Sequence, residues 1–126
     1  MRFILLILTP AEQGHTDAQN NLGVMYLNGE GVAKDYSEAV KWYRLAAEQG
    51  SYQAQVNLGF MYATGKGVSQ DYKEAYAWLH MAAAQGNSDA KRNREIAAKN
   101  LSHTDLSKAE DLSRKYYKLY VEPFQL

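Results

Sequence analysis

Shifted by 36 residues, this chain lies on itself. Residues 14–49 and 50–85 carry the same amino acid at 19 of 36 positions. The matches hold register: Ala18/Ala54, Leu22/Leu58, Gly23/Gly59, Tyr26/Tyr62, Gly29/Gly65, Gly31/Gly67, Val32/Val68, Asp35/Asp71, Ala39/Ala75, Trp42/Trp78 and Ala46-Ala47/Ala82-Ala83. Gly14, Gly50 and Gly86 open successive periods. A period of this length specifies a solenoid, in which no unit buries its apolar face alone and stacked neighbours share a continuous core.

Each unit is predicted to be two antiparallel helices. In the first, Ala18, Leu22, Met25 and Tyr26 share one face at helical spacing, as do Ala54, Leu58, Met61 and Tyr62. Gly23 and Gly59 fall inside these helices, where Gly costs about 1 kcal/mol relative to Ala, so a close neighbouring helix is expected there. The Gly29-Glu30-Gly31 and Gly65-Lys66-Gly67 loops end the first helices. Asp35 and Asp71 are expected N-caps of the second helices, with Glu38 and Glu74 reaching back to them. Ala39, Trp42, Leu45 and Ala46 form the expected buried stripe, matched by Ala75, Trp78 and Ala82, and Gly50 and Gly86 stop these helices.

The two ends depart from the period. After Gly86 and Ala90 the third unit has Arg94, Glu95 and Ala98 where Leu, Gly and Tyr stood, and no Gly-x-Gly loop follows. Residues 101–105 turn the chain instead, with Ser102 and Asp105 as a capping pair for a helix running to about Tyr120. Polar residues at stacking positions suit a terminal cap, and Tyr116, Tyr117, Tyr120 and Phe124 are expected to fold back on the preceding pair. At the other end, residues 11–14 repeat the Ala-Glu-Gln-Gly of residues 47–50. Pro10 argues against a helix running through it, so a fresh start is expected with Thr9 as N-cap and Pro10 at N1. Residues 3–8, the apolar run from Phe3 to Leu8, would then be extended or irregular and cover the first helical pair. The organisation expected is an N-terminal segment and repeat remnant (1–13), two full repeats (14–49 and 50–85) and a degenerate capping repeat (86–126). The fold class is an all-α αα-superhelix of about six helices with an apolar N-terminal segment.

Several chemistries find no support. Lys+Arg and Asp+Glu both number 14, so no net field draws nucleic acid or anionic lipid. There is no Cys for a thiolate metal site or a disulfide framework, and His15, His80 and His103 stand singly in dissimilar contexts. His80, in the place of Arg44, is expected on a solvated face. The Gly-x-Gly loops lack a preceding strand and a following Gly-Lys-Ser/Thr, so turn chemistry explains them better than phosphate binding. Trp42 and Trp78 lie on Ala-lined faces and read as core residues. No catalytic group, metal or cofactor is therefore expected. Residues 3–8 are too few to span a bilayer, which needs about 20 residues. The opening Met1-Arg2 and apolar run resemble a short export signal without a cleavage site, which leaves the compartment open.

The run Ala18-x3-Leu22-Gly23-x2-Tyr26, then Gly29-x-Gly31-Val32, Asp35, Ala39, Trp42 and Ala46-Ala47-x-x-Gly50, recurs from Ala54 to Gly86. It closely resembles the Sel-1-like repeat family, relatives of the tetratricopeptide repeats. The resemblance covers residues 11 to about 120. It implies a right-handed superhelix of helix pairs and a non-catalytic adaptor or scaffold role with a protein or peptide partner. In the tetratricopeptide relatives the first helices line a concave groove. Their outer face here carries Asn20, Val24 and Leu27, then Val56, Phe60 and Ala63, then Arg92, Ile96 and Lys99. An apolar strip with a basic end would suit an extended peptide or helix whose carboxylates meet Arg92 and Lys99. Val24 and Phe60 as plain packing residues is an equally open reading. Also open are a structural fragment of a longer repeat protein, self-assembly as a homodimer through residues 3–8, and a small-ligand or hydrolytic site.

Overall fold

The computed structural model describes residues 2–125, with the side chains of Arg2 and Phe3 outside that description. Among the described residues there are seven α-helices and no strand: α1 (Arg2–Glu12), α2 (Thr16–Asn28), α3 (Tyr36–Ala47), α4 (Tyr52–Thr64), α5 (Tyr72–Ala84), α6 (Ser88–Ala98) and α7 (His103–Tyr120), followed by a 3-10 turn at Glu122–Phe124. Consecutive helices from α1 to α6 pack in antiparallel pairs, and α7 lies along α5. None is long and apolar enough to cross a membrane.

The period is enforced at the helix ends. Gly14, Gly50 and Gly86 all adopt φ between 91° and 99°, a left-handed conformation that side-chain-bearing residues avoid. Each closes the same pattern: His15, Ser51 and Asn87 donate their N–H groups to the carbonyls of Pro10, Ala46 and Ala82. The next helix is then capped in place by Ser51 and Asn87, whose side chains accept from the N–H groups of Ala54 and Ala90. Asp35 accepts from Glu38 N–H at 3.1 Å, and Asp71 from Lys73 and Glu74. The backbone N–H groups of Asp35 and Asp71 donate to Tyr26 and Tyr62 carbonyls, so neither needs a glutamate reaching back. Glu74 instead accepts from the Trp78 indole N–H at 3.1 Å and the Tyr116 hydroxyl at 2.8 Å.

Buried glutamines fasten one unit to the next. Gln19 Nε2 donates to the Ala11 carbonyl, and Gln55 Nε2 repeats this at the Ala47 carbonyl. Each amide oxygen accepts from a second glutamine at the end of its own helix pair, Gln49 on Gln19 and Gln85 on Gln55. Close approach supplies the rest. A Cβ on Gly23 would lie 2.5 Å from the Tyr43 ring, and one on Gly59 would lie 2.9 Å from Leu79 Cγ. Tyr43 is fully buried, which pushes its phenol up to about 12.

Three expectations need correcting in this frame. The apolar N-terminal segment is helical, which raises the helix count to seven. Ile4, Ile7, Leu8 and Ala11 recur at helical spacing and meet Leu22 and Trp42. Proline inside a helix costs about 3 kcal/mol, while burying each large aliphatic side chain gains about 1.5–3 kcal/mol, so the stripe prevails. Leu6, whose carbonyl would have bonded residue 10, is on the solvent side. Leu45 is exposed, and Val40 and Tyr43 occupy the buried face with Ala39, Trp42 and Ala46. His80 is half-buried, stacked on Tyr76, with Nδ1 accepting from Arg94 Nη1 at 3.1 Å. The polar residue in the third unit's leucine position thus faces α5 rather than water. At the C-terminal end, Tyr116 and Tyr120 pack on Trp78 as expected, with ring centroids 4.9 and 5.6 Å away.

Two outcomes follow. Gln55→Leu removes two hydrogen bonds of a buried amide, its donation to the Ala47 carbonyl, which keeps only the Gly50 N–H, and its acceptance from Gln85 Nε2, and is expected to cost about 1–3 kcal/mol in urea unfolding. Lys91→Leu, at the equivalent exposed position of the third unit, is expected to change stability by less than about 0.5 kcal/mol. Second, burial, with help from Arg94 and Arg114 against the opposing pull of Glu110, holds the His80 pKa below its ordinary 6.5. Below that value the unfolded state takes up a proton that the folded state resists, so stability falls with pH until the folded imidazole titrates as well. Unfolding curves between about pH 7.5 and 5.5 should show this slope in the wild type and a flatter one in His80→Gln.

Candidate functional site

The first helices of the units lie side by side, and the space between α4 and α6 is a groove. It holds about 300 Å³, with Leu79 of α5 as its floor. Leu79 reaches this position because Gly59 has no side chain in its path. Val56, Phe60 and Ala63 of α4 form one wall, Asn93, Ile96 and Ala97 of α6 the other, and Tyr72 adds an aromatic edge. Phe60 is 47% exposed and Ile96 59%, so both leave apolar surface in water on facing walls of the cavity.

Four of the nine residues expected on a binding face, Val56, Phe60, Ala63 and Ile96, thus line one groove. The α2 residues have other contacts. Asn20 Oδ1 accepts from Asn57 Nδ2 at 3.0 Å, and Val24 and Leu27 are half-buried against the core that α3, α4 and α5 share. Arg92 forms an exposed ion pair with Asp89 one turn away on α6. Lys99 is exposed at the C-terminal end of α6.

Residues outside that set complete the surface. Asn57 and Asn93 both line the groove and stand 36 residues apart, a register visible in the repeat and continued back to Asn21. Lys66, in the loop after α4, holds its ammonium 5.2 Å from the Phe60 ring centroid and 5.5 Å from that of Tyr36. Its signal in the sequence was a charge reversal, Glu30 against Lys66, in two otherwise matching glycine loops.

A second depression of about 500 Å³ lies on the opposite helices, lined by His80, Ala84, Arg114, Tyr117, Lys118 and Glu122. Its wall is mixed in charge, with Glu122 beside the cations, and Arg114 is already paired with Asp111. Trp42 and Trp78 are buried core residues. Among the described residues no group of three or more His, Asp or Glu side chains is placed to hold a metal ion.

Comparison with known proteins accords with this architecture. The Sel1 repeat model matches residues 16–51 and 53–87, more than half of the chain. No curated protein sequence matches it. Among solved structures, the chain is similar to c5321, described as a protective antigen present in uropathogenic Escherichia coli strains and displaying an SLR fold. The TM-score is 0.93 and the identity 40%, over 96% of this chain and 26% of that one. It is also similar to a Sel1 repeat protein from Oxalobacter formigenes, with a TM-score of 0.69 and 42% identity over 71% of this chain and 37% of that one. The chain therefore spans about a quarter of the length of the first of these relatives and over a third of the second.

Proposed function

Because the chain belongs to the Sel1 repeat family, whose repeats typically act as protein-interaction scaffolds, we propose that it is a non-catalytic interaction module binding a peptide or helix in the groove between α4 and α6. The observation that carries this reading is the placement of Phe60 and Ile96, both largely exposed, across a preformed apolar cleft. Apolar area left in water at such a cleft is a standing driving force for association, on the order of 25 cal/mol per Å² covered. The groove is also built by the fold itself. Leu79 and Gly59 fix its floor, so a ligand meets a surface ordered in advance and less binding energy goes into arranging it.

The asparagines suit an extended ligand. Asn93 offers an amide that can both donate to and accept from a peptide backbone, and Asn57, whose Nδ2 already donates to Asn20, keeps its carbonyl oxygen and one N–H at the same register of the preceding unit. That supports a ligand laid across the first helices, with apolar side chains entering between them. No constellation of nucleophile, base and oxyanion donors lines the groove, whose polar members are Asn57, Asn93 and the Tyr72 hydroxyl.

Panning a displayed random-peptide library on the immobilised protein tests the reading. Wild type should enrich a family of peptides with large apolar residues. Phe60→Asp puts a charge at an exposed position and should remain folded by circular dichroism, yet lose those peptides. Retention of the same peptides by folded Phe60→Asp would overturn the groove as the binding site.

A further inference from the structure

The groove has two chemically different ends, because the parallel first helices bring their C-termini to the same side. At the N-terminal side, Arg92 is neutralised by Asp89. At the C-terminal side stand Lys66, in the loop after α4, and Lys99, at the end of α6. Among the described residues, neither lysine has a carboxylate within ion-pair distance. Lys66 is half-buried and sits between two aromatic rings: Phe60, which lines the groove, and Tyr36 at the start of α3. Lys34 approaches the same Tyr36 ring, at 5.8 Å. Two ammonium groups therefore gather at one tyrosine, linked to the groove through the Phe60 ring that Lys66 also contacts.

Two acidic residues of the preceding unit have hydrogen-bond partners of their own. Asp35 caps α3 by accepting from Glu38 N–H, and Glu30 accepts from Asn28. Cation–π contacts hold Lys66 without neutralising it. A lysine already held by two rings also gives up less side-chain freedom when an anion arrives. Like charges gathered at a surface raise the local potential, and that potential favours a partner carrying negative charge.

Resting on the groove reading, we infer that the ligand is a peptide with an acidic residue placed a few residues from its large apolar anchor, its carboxylate pairing with the Lys66 ammonium. The apolar side chain enters between Phe60 and Ile96, and the carboxylate lies over the loop at Gly65 and Gly67. Lys66, rather than Arg92, is then the residue that sets the charge preference and the ligand's direction.

The test uses the whole chain and the peptides enriched on it. The enriched family should contain Asp or Glu at a fixed distance from the apolar anchor. The best binder is then synthesised with that acid and with its amide, and both are measured by fluorescence anisotropy. Wild type should prefer the acid by about threefold to fivefold, in the range of one partly exposed ion pair. Lys66→Ser should bind both forms alike, and Lys66→Arg should keep the preference. Enriched peptides without an acidic preference, or discrimination by Lys66→Ser equal to wild type, would overturn this inference and leave the groove reading standing. Failure to enrich any peptide, or enrichment unaffected by Phe60→Asp, would overturn the groove reading and this inference with it.

Discussion

Two buried glutamines set the geometry on which the rest of the molecule depends. Where a second helix ends and the next first helix begins, a carbonyl inside the protein has only the N–H of the period glycine as its backbone partner. Gln19 and Gln55 supply a second donor to those carbonyls at Ala11 and Ala47, and each accepts a bond from the glutamine ending its own pair. The junction can therefore be dry. Alanine pairs at the helix ends and glycine inside the first helices let the backbones close to contact around it. The first helices are thereby held in register, and the cleft between α4 and α6 follows from that spacing. The third unit has Lys91, exposed, in the glutamine position, so the fastening stops where the stack stops.

Much of this was legible in the sequence because the determining contacts are local. Asp35, Asp71 and Ser102 cap the helices they precede, and the three period glycines take the left-handed conformation that ends helices. Long-range competition was not legible in the same way. Pro10 taken alone disfavours a helix, whereas Ile4, Ile7, Leu8 and Ala11 together outweigh it once Leu22 and Trp42 are present to receive them. Glu74 matched a local capping motif but binds Trp78 and Tyr116, the latter 42 residues away. His80 read as a solvated residue because its cover, Arg94, comes from the capping unit that departs from the period.

The candidate site divides along the same line. Val56, Phe60, Ala63 and Ile96 follow from helical phase, and the structure brings them to one groove. Their neighbours on α2 are drawn into other contacts, Asn20 by Asn57 and Val24 and Leu27 by the core. The charge at the groove was harder to place. Arg92 lies three residues after Asp89 on one helix, a spacing that favours the pair observed. Lys66 sits in a loop, and its position depends on Tyr36 from the unit before. Loop placement set by a non-local ring leaves almost no trace in periodicity.

The central claim is that the groove between α4 and α6 is the surface that receives a partner. Methyl-resolved NMR during titration with a library-selected peptide tests it most directly, since the groove's wall and floor carry methyl groups. The account predicts that the largest shift changes fall on Val56, Ala63, Leu79 and Ile96, with α7 and the outer face of α1 unmoved. Saturable binding that leaves those four unchanged, while shifting Leu5, Leu6 or Leu119, would contradict it.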